Sequence, residues 1–399
     1  MSDAQGVNKL VVYKKESAWG TKAGATGGKY LRRVTASFQL EKDTYTSNEI
    51  KQSQQTADMR HGTRRSSGTL NGELAGNSYT DFIAASLRKD FAAGPTTGAV
   101  AVIAVDADND KFIRSTGSFL TDGFYEGMVV QSSGFTTSGN NGFFVTTAVS
   151  ALEMTVASFE QTSPLVDEIE GDTVTISAPG KVSYVPLTGH TDDSFTFEEW
   201  HPDAAISRTF LGVQVNQMDI AIQPNSMATI NFNFMGKDAE TPTGAAYFTT
   251  PAAQGTEGTF SGPDGMLVIN GTKNGKVTGM NLSVAQNIQQ EAVIGSNSIG
   301  AKSRGKVAVT LSGTAIFTDS TMLGYFDAET EISVTYALRS ADRTDYFAIH
   351  MPRVKIGSGT TDDGEKVVIL SFDGTALEYG AGGVGKRPTT IQIQDTAVV

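Results

Sequence analysis

One strand-and-helix pattern occurs twice in this chain of 399 residues, at nearly constant spacing. The alternating apolar residues of 36–40 recur 244 positions later at 280–284, and the small and apolar residues of 70–74 recur 243 positions later at 313–317. A stretch with helical spacing of apolar residues follows at the same offset of 243, at 79–83 in the first copy. Internal repetition limits which folds a chain can adopt, so it outweighs local signals. The sequence therefore predicts two copies of one structural unit.

Two later segments repeat at smaller offsets, which indicates an insertion in the first copy. Residues 210–215 match 346–351 at an offset of 136, and residues 230–236 match 368–374 at 138. The drop of 107, from 243 to 136, predicts an extra block in copy one, assigned to residues 96–182. Short alternating runs and an Asn-Asn-Gly turn predict that this block is a small all-β domain, Ig-like or barrel-like, that stands clear of the main body.

The whole chain is predicted to be mainly β with short helices. Its apolar runs are short, alternate with polar residues and are separated by Gly, Ser, Thr, Asn and Asp, which is typical of strands and turns. We expect two tandem β-sandwich or barrel units and the inserted all-β domain. The predicted boundaries are 1–95 and 183–247 for unit one with an N-terminal arm, 96–182 for the insertion, 248–262 for a linker, 263–379 for unit two and 380–399 for a Gly-rich C-terminal arm.

Each copy places a long polar connection between its first two strands, at 43–65 in copy one and 285–304 in copy two. Long connections without secondary structure are uncommon inside compact domains and are usually functional or disordered. Because two of them occupy equivalent places, we expect them to contact a partner. The candidate contact residues are Lys51, Arg60, His61, Arg64, Arg65, Lys302, Arg304 and Lys306.

Charge is distributed unevenly along a chain whose net charge is −12. Lys and Arg minus Asp and Glu gives +5 for residues 1–95, −8 for 96–182, −7 for 183–257 and −2 for 258–399. A basic end and an acidic middle favour head-to-tail pairing of copies, although the imbalance could serve solubility alone. The acidic balance argues against binding nucleic acid by phosphate neutralisation.

Cysteine content and apolar run lengths exclude several classes of protein. The chain has no Cys, so a disulfide framework, thiolate metal sites and thiol catalysis are ruled out. No run of about 18 apolar residues occurs, so no membrane span is expected. The first residues lack a basic region followed by an apolar one, so we expect no secretory signal and use without export.

We expect no catalytic site, no cofactor and no metal, and therefore not an enzyme. The four histidines share no ligand spacing, and no G-x-S-x-G motif occurs. The acidic run 106–110 begins like a calcium loop, but Lys111 stands where Gly is required. Glu198 and Glu199 are adjacent, so in a strand they point to opposite faces. The Gly-rich run 380–387 is followed by Pro388, where a phosphate loop needs a helix to begin.

The ordered units resemble the major tail tube proteins of long-tailed, non-contractile bacteriophages. Members of that family have a strand, a long polar loop, a strand ending in a Gly-rich step, a short helix and a closing hairpin with F-x-G-x-x-V and F-x-G-K motifs. The matching residues are Gly68, Gly72, Phe210, Gly212, Val215, Phe234, Gly236 and Lys237. Copy two fits more loosely, with Ala348 where the pattern has Gly. Residues 123–127 and 140–144 resemble small β domains that are often inserted in such proteins.

The resemblance implies a structural virion protein, assembled in the host cytoplasm, whose rings stack into a hollow tube for passage of phage DNA. Single-unit members form hexameric rings, so a chain with two units should form trimeric, pseudo-hexameric rings. The implied wall is a continuous β barrel with an acidic or neutral lumen, long loops that reach the next ring and the inserted block outside. The implied partners are copies of itself, the tape measure protein and DNA transiently in the lumen, and tail terminator and distal tail proteins at the tube ends, with no membrane.

Three other interpretations stay open from the sequence. A secreted or surface carbohydrate-binding or adhesion β protein would fit the polar β composition, although only Trp19 and Trp200 could supply Trp platforms. A tube component of a contractile injection or secretion system would share the fold. A β-rich glycosidase would need two positioned carboxylates, which the sequence does not reveal.

Overall fold

A computed structural model describes residues 3–160, 162–318, 320–363, 365, 367–380 and 383–398. Most of the regular structure is antiparallel strand, with three short α-helices in the described residues. The predicted class, mainly β with short helices, is confirmed.

The strands and helices follow one another in four groups. The first group is β1 (Leu10–Lys15), β2 (Lys29–Tyr30), β3 (Thr35–Thr46), β4 (Met59–Glu73), α1 (Thr80–Leu87) and β5 (Ala92–Ala93). The insertion contains β6 (Ile103–Asp106), β7 (Lys111–Arg114), α2 (Phe119–Asp122), β8 (Val129–Ser133), β9 (Gly142–Val149), β10 (Glu153–Ser158) and β11 (Thr175–Ser177). The third group is β12 (Lys181–Tyr184), β13 (Phe195–His201), β14 (Ile206–Ile222), β15 (Thr229–Gly236) and β16 (Asp238–Ala239). The last group is β17 (Gly265–Ile269), β18 (Thr272–Lys273), β19 (Val277–Ala285), β20 (Ile288–Glu291), β21 (Ala301–Arg304), β22 (Ala308–Ile316), α3 (Thr321–Asp327), β23 (Ile332–Arg339), β24 (Tyr346–Thr361), β25 (Ile369–Ala376) and β26 (Gln392–Asp395).

Eight strands form one unbroken antiparallel path through the molecule. Their spatial order is β3–β4–β15–β14–β19–β22–β25–β24. Side chains alternate along these strands, so that in β15 Ile230, Phe232 and Phe234 are buried while the residues between them are partly or fully exposed. One face of the path therefore packs on a common apolar core and the other face is polar.

The strand ladders of the two halves share the same registers. Ala36 pairs with Leu70, and Met280, 244 positions after Ala36, pairs with Gly313, 243 positions after Leu70. The β13–β14 and β23–β24 ladders carry matching irregularities, between Phe195 and Phe197 and at the corresponding place in β23. Ladder pairing therefore supports structural equivalence of β3 with β19, β4 with β22, β13 with β23, β14 with β24 and β15 with β25.

The two smaller sequence offsets, 136 and 138, were wrong. The irregular ladders place Phe195 opposite Val213 and Ile332 opposite Val354, which gives 137 for β13 to β23 and 141 for β14 to β24. Pairing with β4 and β22 likewise gives 140 for β15 to β25. Strand alternation repeats every two residues and cannot fix an absolute register. The connection from β23 to β24, residues 340–345, is also longer than the connection from β13 to β14, residues 202–205. The offset step at the insertion is therefore 106, from 243 to 137.

The inserted block forms a six-stranded sheet in the order β11–β8–β9–β10–β7–β6, with its own apolar core. The sequence had suggested that this block stands clear of the main body, but the block packs against it. Val129 and Val145 are fully buried against Met266, Val268 and other apolar residues of the β17–β23–β24 sheet. The β8–β9 hairpin is apolar on both faces, so one face fills the block's own core and the other packs outside it.

The C-terminal segment is not a free arm at 391–395. Its strand β26 lies between β12 and β24 and pairs with both. Ile391 and Ile393 are fully buried, and the Asp395 carboxylate accepts a hydrogen bond of 2.8 Å from the backbone N–H of Asn77. The alternating apolar residues of this short run were obscured in the sequence by the Gly-rich stretch before it.

The two long polar connections are more ordered than the sequence predicted. The β3–β4 ladder extends to the pair Thr46 and Met59, so only residues 47–58 lie outside it. Within 285–304, β20 and β21 form a small hairpin of their own. Both hairpins carry few apolar residues, so apolar alternation did not reveal them.

The two equivalent helices differ in burial. Six residues of α1 are buried, including Phe82, whereas none of α3 is. Tyr79 and Ser320 occupy the cap positions, rather than the predicted Asn77 or Ser78 in copy one, and neither of their side chains accepts a capping hydrogen bond. Asp319, the other predicted cap in copy two, lies outside the described residues.

The substitution Phe82→Ala should destabilise the chain far more than Tyr325→Ala at the equivalent position of α3. The Phe82 ring is fully buried and lies 4.6 Å from the Tyr13 ring, centroid to centroid, and truncating such a side chain costs about 3–5 kcal/mol. Thermal unfolding at low protein concentration measures both losses. Equal losses would contradict the difference in burial.

The docking of β26 should weaken as the pH rises. Burial raises the pKa of the Asp395 carboxyl to about 6, with a further contribution from the charges of Asp345 and Glu257. Because this lies above the unfolded value of about 3.9, its contribution to stability is fully present below about pH 4 and is lost as the pH rises through about 6. The Asp395→Asn variant should therefore gain stability relative to the natural chain between about pH 4 and 7, by about 2–3 kcal/mol. Asp90→Asn, at an exposed carboxylate, serves as the control, and a parallel pH profile for Asp395→Asn would contradict this assignment.

Candidate assembly interface

The acidic and histidine side chains noted in the sequence have structural partners rather than a shared site. Glu198 is buried and accepts hydrogen bonds from Ser207 Oγ and from the backbone N–H of Tyr247, while its neighbour Glu199 pairs with Lys9 on the opposite face. Among the described residues, no group of three or more His, Asp or Glu side chains could hold a metal ion. In the same part of the chain, no helix has the length and apolar character needed to cross a membrane.

The first end of the eight-strand path is the outer edge of β3. This strand pairs with β4 alone among the described strands. Two of its outward backbone groups are held by side chains instead: the N–H of Phe38 donates to Glu199 at 3.1 Å, and Lys9 Nζ donates to the carbonyl of Ala36 at 2.9 Å. Charged side chains of this kind blunt an edge strand against indiscriminate pairing.

The second end is the C-terminal half of β24. The N-terminal half of this strand pairs with β23 on one side and with β26 on the other. From Val354 to Thr361 it pairs with β25. Its other side is covered by β23 only as far as Val354, and within the described residues no strand covers that side from Lys355 to Thr361. The path therefore ends in two unpaired strand edges, β3 and β24.

The middle of the path contains a junction of the same two strand types. There β14 pairs with β19 over six residues, from Gln217 opposite Ala285 to Ile222 opposite Met280. By ladder register, β24 is the equivalent of β14 and β3 is the equivalent of β19. The β14–β19 junction thus lies inside the path. The two ends of the path, β24 and β3, are the strands that would form a second junction of the same kind.

The face of the path that points away from the core is polar. Its side chains are mostly Ser, Thr, Asn and Gln, and they are exposed or half-buried: Ser37, Gln39, Ser67, Thr69, Asn71, Gln217, Asn231, Asn233, Asn281, Ser283, Thr310, Ser312, Ser371 and Thr375. The charged ones are Glu41, Arg65, Glu73, Asp219, Lys355 and Asp373, so acidic groups outnumber basic ones. A concavity runs across this face between β15 and β25 and is lined by Asp219, Asn281 and Asp373 among others.

Comparison with known families identifies the family of the chain. A family model described as phage tail tube protein matches residues 6–376, nearly the whole chain. The chain belongs to this family. It is accordingly a structural component of a phage tail and of the virion, as the sequence resemblance had indicated. A comparison with curated proteins gave no match.

In this tail tube protein the β20–β21 hairpin docks on the first unit of the same chain. Asp192 receives two cations from the hairpin, Lys302 Nζ at 2.6 Å and Arg304 Nε at 2.9 Å. The backbone N–H of Ile288 donates to Asn216 Oδ1 at 3.0 Å, which extends the contact along β14. The two cationic side chains are only 14% and 8% exposed, so this is a packed contact rather than a loose surface pair.

The charge on Asp192 is what makes this contact favourable. Burial alone would raise the pKa of its carboxyl, but hydrogen bonds from Lys302 and Gln214 and the charge of Arg304 lower the pKa overall. Burial correspondingly lowers the pKa of Lys302, against the opposing effect of Asp192. Because the folded pKa of Asp192 lies below its unfolded value, the contact is stabilising above about pH 4 and is lost as the pH falls further.

The predicted contact residues of the tail tube protein fall into two groups. Lys302 and Arg304 meet at Asp192, and Arg64 joins the same region because its backbone N–H donates to Asn297 at 2.9 Å while its guanidinium pairs with Asp238. The others do not come together, and their surroundings are local or exposed: Arg65 with Glu41 and Asp43, Lys51 with Glu49, Arg60 with Asp58, and His61 and Lys306 at the surface. The sequence analysis missed Asp192, whose only signal was an acidic turn before β13.

Removing the charge of Asp192 should loosen the hairpin. Asp192→Asn removes the carboxylate that pairs with the largely buried Lys302 and Arg304. We expect a loss of about 1 kcal/mol, because Asp192 is half exposed and the Asn oxygen can still accept a hydrogen bond. Hydrogen exchange at the amides of 288–304 should become faster. Asp58→Asn, in the exposed pair with Arg60, is the matched control and should change nothing. Unchanged exchange in both variants would show that the hairpin is held by its backbone bonds alone.

Proposed function

We propose that this chain is the major tail tube protein of a long-tailed, non-contractile phage, without enzymatic activity. Three copies close a ring of six quasi-equivalent units, and the rings stack into a hollow tube that carries phage DNA. The observation that supports this most strongly is the pair of unpaired edges, β3 and β24, because they are the two strand types that already pair inside the chain as β19 and β14.

The internal junction supplies a register for the junction between copies. Adding 141 to a residue of β14 and subtracting 244 from its partner in β19 carries each pair to the open edges. Asp219 opposite Ser283 becomes Thr360 opposite Gln39 of the next copy. The contact joins different surfaces of the two copies, and such head-to-tail contacts close into rings when the rotation allows. On assembly, strand pairing would replace the bonds that Lys9 and Glu199 make to β3.

The number of copies follows from the number of units. Single-unit tail tube proteins form hexameric rings, so a chain with two units closes the same ring with three copies. The repeat also includes the first strand of each unit. Val11 of β1 pairs with Glu199 of β13, and Leu267 of β17 pairs with Tyr336, the equivalent of Glu199 in β23. Unit one then comprises 1–95 and 183–247, and unit two comprises 263–379 with the 391–395 strand added.

The polar face is suited to line the lumen. Closing the path with copies of itself turns that face inward as one continuous surface of hydroxyl, amide and mainly acidic side chains. Such a surface repels phosphates and lets DNA pass without binding. The tape measure protein and DNA would occupy the lumen transiently, tail terminator and distal tail proteins would bind the tube ends, and assembly would take place in the host cytoplasm.

Electron microscopy of the purified chain tests the assembly directly. We expect rings with an open centre, or tubes of uniform width, in negative stain. A strictly monomeric chain at every concentration would contradict the proposal.

A cysteine pair tests the junction between copies, because the natural chain has no Cys. Directly opposed strand residues have Cβ atoms roughly 4.5–5.5 Å apart, close to disulfide reach. The double variant Gln39→Cys with Thr360→Cys should form disulfide-linked species that stop at three chains on a non-reducing gel. Asp219→Cys with Ser283→Cys, its equivalent inside the chain, should link without any gain in mass. A series that continues beyond three, or no linkage, would contradict a closed trimer joined at these edges.

A further inference from the structure

We propose that the β3–β4 hairpin of each copy clasps unit two of the neighbouring copy in the same ring, with His61 beside that copy's Glu329. This inference rests on the ring proposed above and assigns it a second contact. It gives the hairpin a partner within the ring, whereas the sequence had suggested the next ring. We call Lys42, Thr44, Met59 and His61 the clasp face of the hairpin.

The first step is that the two hairpins have the same ladder. Ile288 pairs with Arg304, and the positions 244 and 243 residues earlier, Thr44 and His61, pair with each other. The next pairs also correspond: Gln289 with Ser303 and Tyr45 with Arg60, then Gln290 with Lys302 and Thr46 with Met59. One face of the β20–β21 hairpin docks on unit one. The clasp face is the equivalent face of the β3–β4 hairpin.

The second step is that the receiving surface is also duplicated. In unit one, Gln214 Nε2 donates to Asp192 at 3.0 Å beside the docked hairpin. The offsets of 141 and 137 carry these two residues to Lys355 and Glu329, and Lys355 Nζ lies 3.7 Å from Glu329 in unit two. A side-chain pair thus recurs at these two positions, but among the described residues no hairpin is hydrogen bonded or ion paired to Glu329, whose side chain is 84% exposed.

The third step concerns apolar surface. In unit one the docked hairpin reaches the end of α1, where Gln286 Nε2 donates to the carbonyl of Ser86. The equivalent helix α3 has no buried residue, and Phe326 is 39% exposed. The β3–β4 hairpin exposes Met59 at 55% on its clasp face. Exposed apolar side chains on two surfaces related by the repeat are explained if the surfaces cover each other.

The charges are complementary as well. The clasp face carries the Lys42 cation and the His61 imidazole, which can donate an N–H, and the end of α3 carries the carboxylates of Asp327 and Glu329. Lys42 stands at the position of Gln286, which in unit one bonds to the end of α1. A cation there would also meet the negative end of the α3 helix dipole. Electrostatic complementarity of this kind favours one docking orientation over others.

Crosslinking in the assembled protein tests the clasp. The double variant His61→Cys with Glu329→Cys, treated with a short bis-maleimide, should give linked dimers and trimers and nothing larger, because contacts within a ring close after three chains. The equivalent pair inside the chain, Arg304→Cys with Asp192→Cys, should link without added mass. Each single variant should stay unlinked.

The other outcomes separate the clasp from the ring itself. Linked species that continue past three chains would place the hairpin against the next ring and overturn the inference. No linkage here, with trimers still forming through Gln39→Cys and Thr360→Cys, would remove the clasp and leave the ring intact. Failure of both pairs would overturn the ring and the clasp together.

A charge exchange gives an independent readout. Glu329→Lys should reduce the fraction of sedimenting assemblies, and adding His61→Glu should restore it by placing an anion opposite the new cation. Glu170→Lys, an exposed acidic residue of the insertion, is the matched control and should leave assembly unchanged. A Glu329→Lys chain that assembles like the natural one would contradict the clasp.

Discussion

The pairing of β14 with β19 is the interaction on which the rest of the structure depends. It carries the sheet from one unit to the other without a break, so Met218 and Ile220 of unit one share a core with Leu282 of unit two. Because side chains alternate along both strands, the same register also aligns the two polar faces. A slip of one residue would turn apolar side chains toward the polar face and polar ones into the core. The register of this one ladder therefore fixes both the core and the surface assigned to the lumen.

A chain built around that junction must also manage its two open edges. An unpaired strand pairs readily with any other, and side-chain bonds to its backbone groups are one way to limit this. In β3, Lys9 and Glu199 satisfy Ala36 and Phe38 and also pair with each other. In the proposed assembly the correct strand replaces these bonds along a whole ladder. Partial protection of an edge is thus compatible with a chain that folds alone and then polymerises.

The sequence predicted what depends on alternation and missed what depends on pairing. Fold class, the repeat and most strands of the path follow from apolar residues at every second position. The predicted offsets of the last strands were wrong because alternation does not fix an absolute register, and because the connection from β23 to β24 is longer than the one from β13 to β14. The sequence analysis did not predict the strand pairing within 43–65, because strands made of polar residues show no apolar alternation. Of the predicted contact residues, Lys302 and Arg304 converge on Asp192, which only the fold could bring near them.

The insertion shows why the two units are not interchangeable. The β1–β13 layer of unit one is covered by the segment after β16, where Phe248 donates its N–H to Glu198 and Ala252 donates to Gly28. In unit two the equivalent layer, β17 with β23, is covered by Val129 and Val145 of the insertion. The block is thus inserted into the sequence of unit one but packs on an apolar surface of unit two. Removal of the block would expose that surface, so the block is part of the packing of unit two and not a separate domain that could be removed without effect.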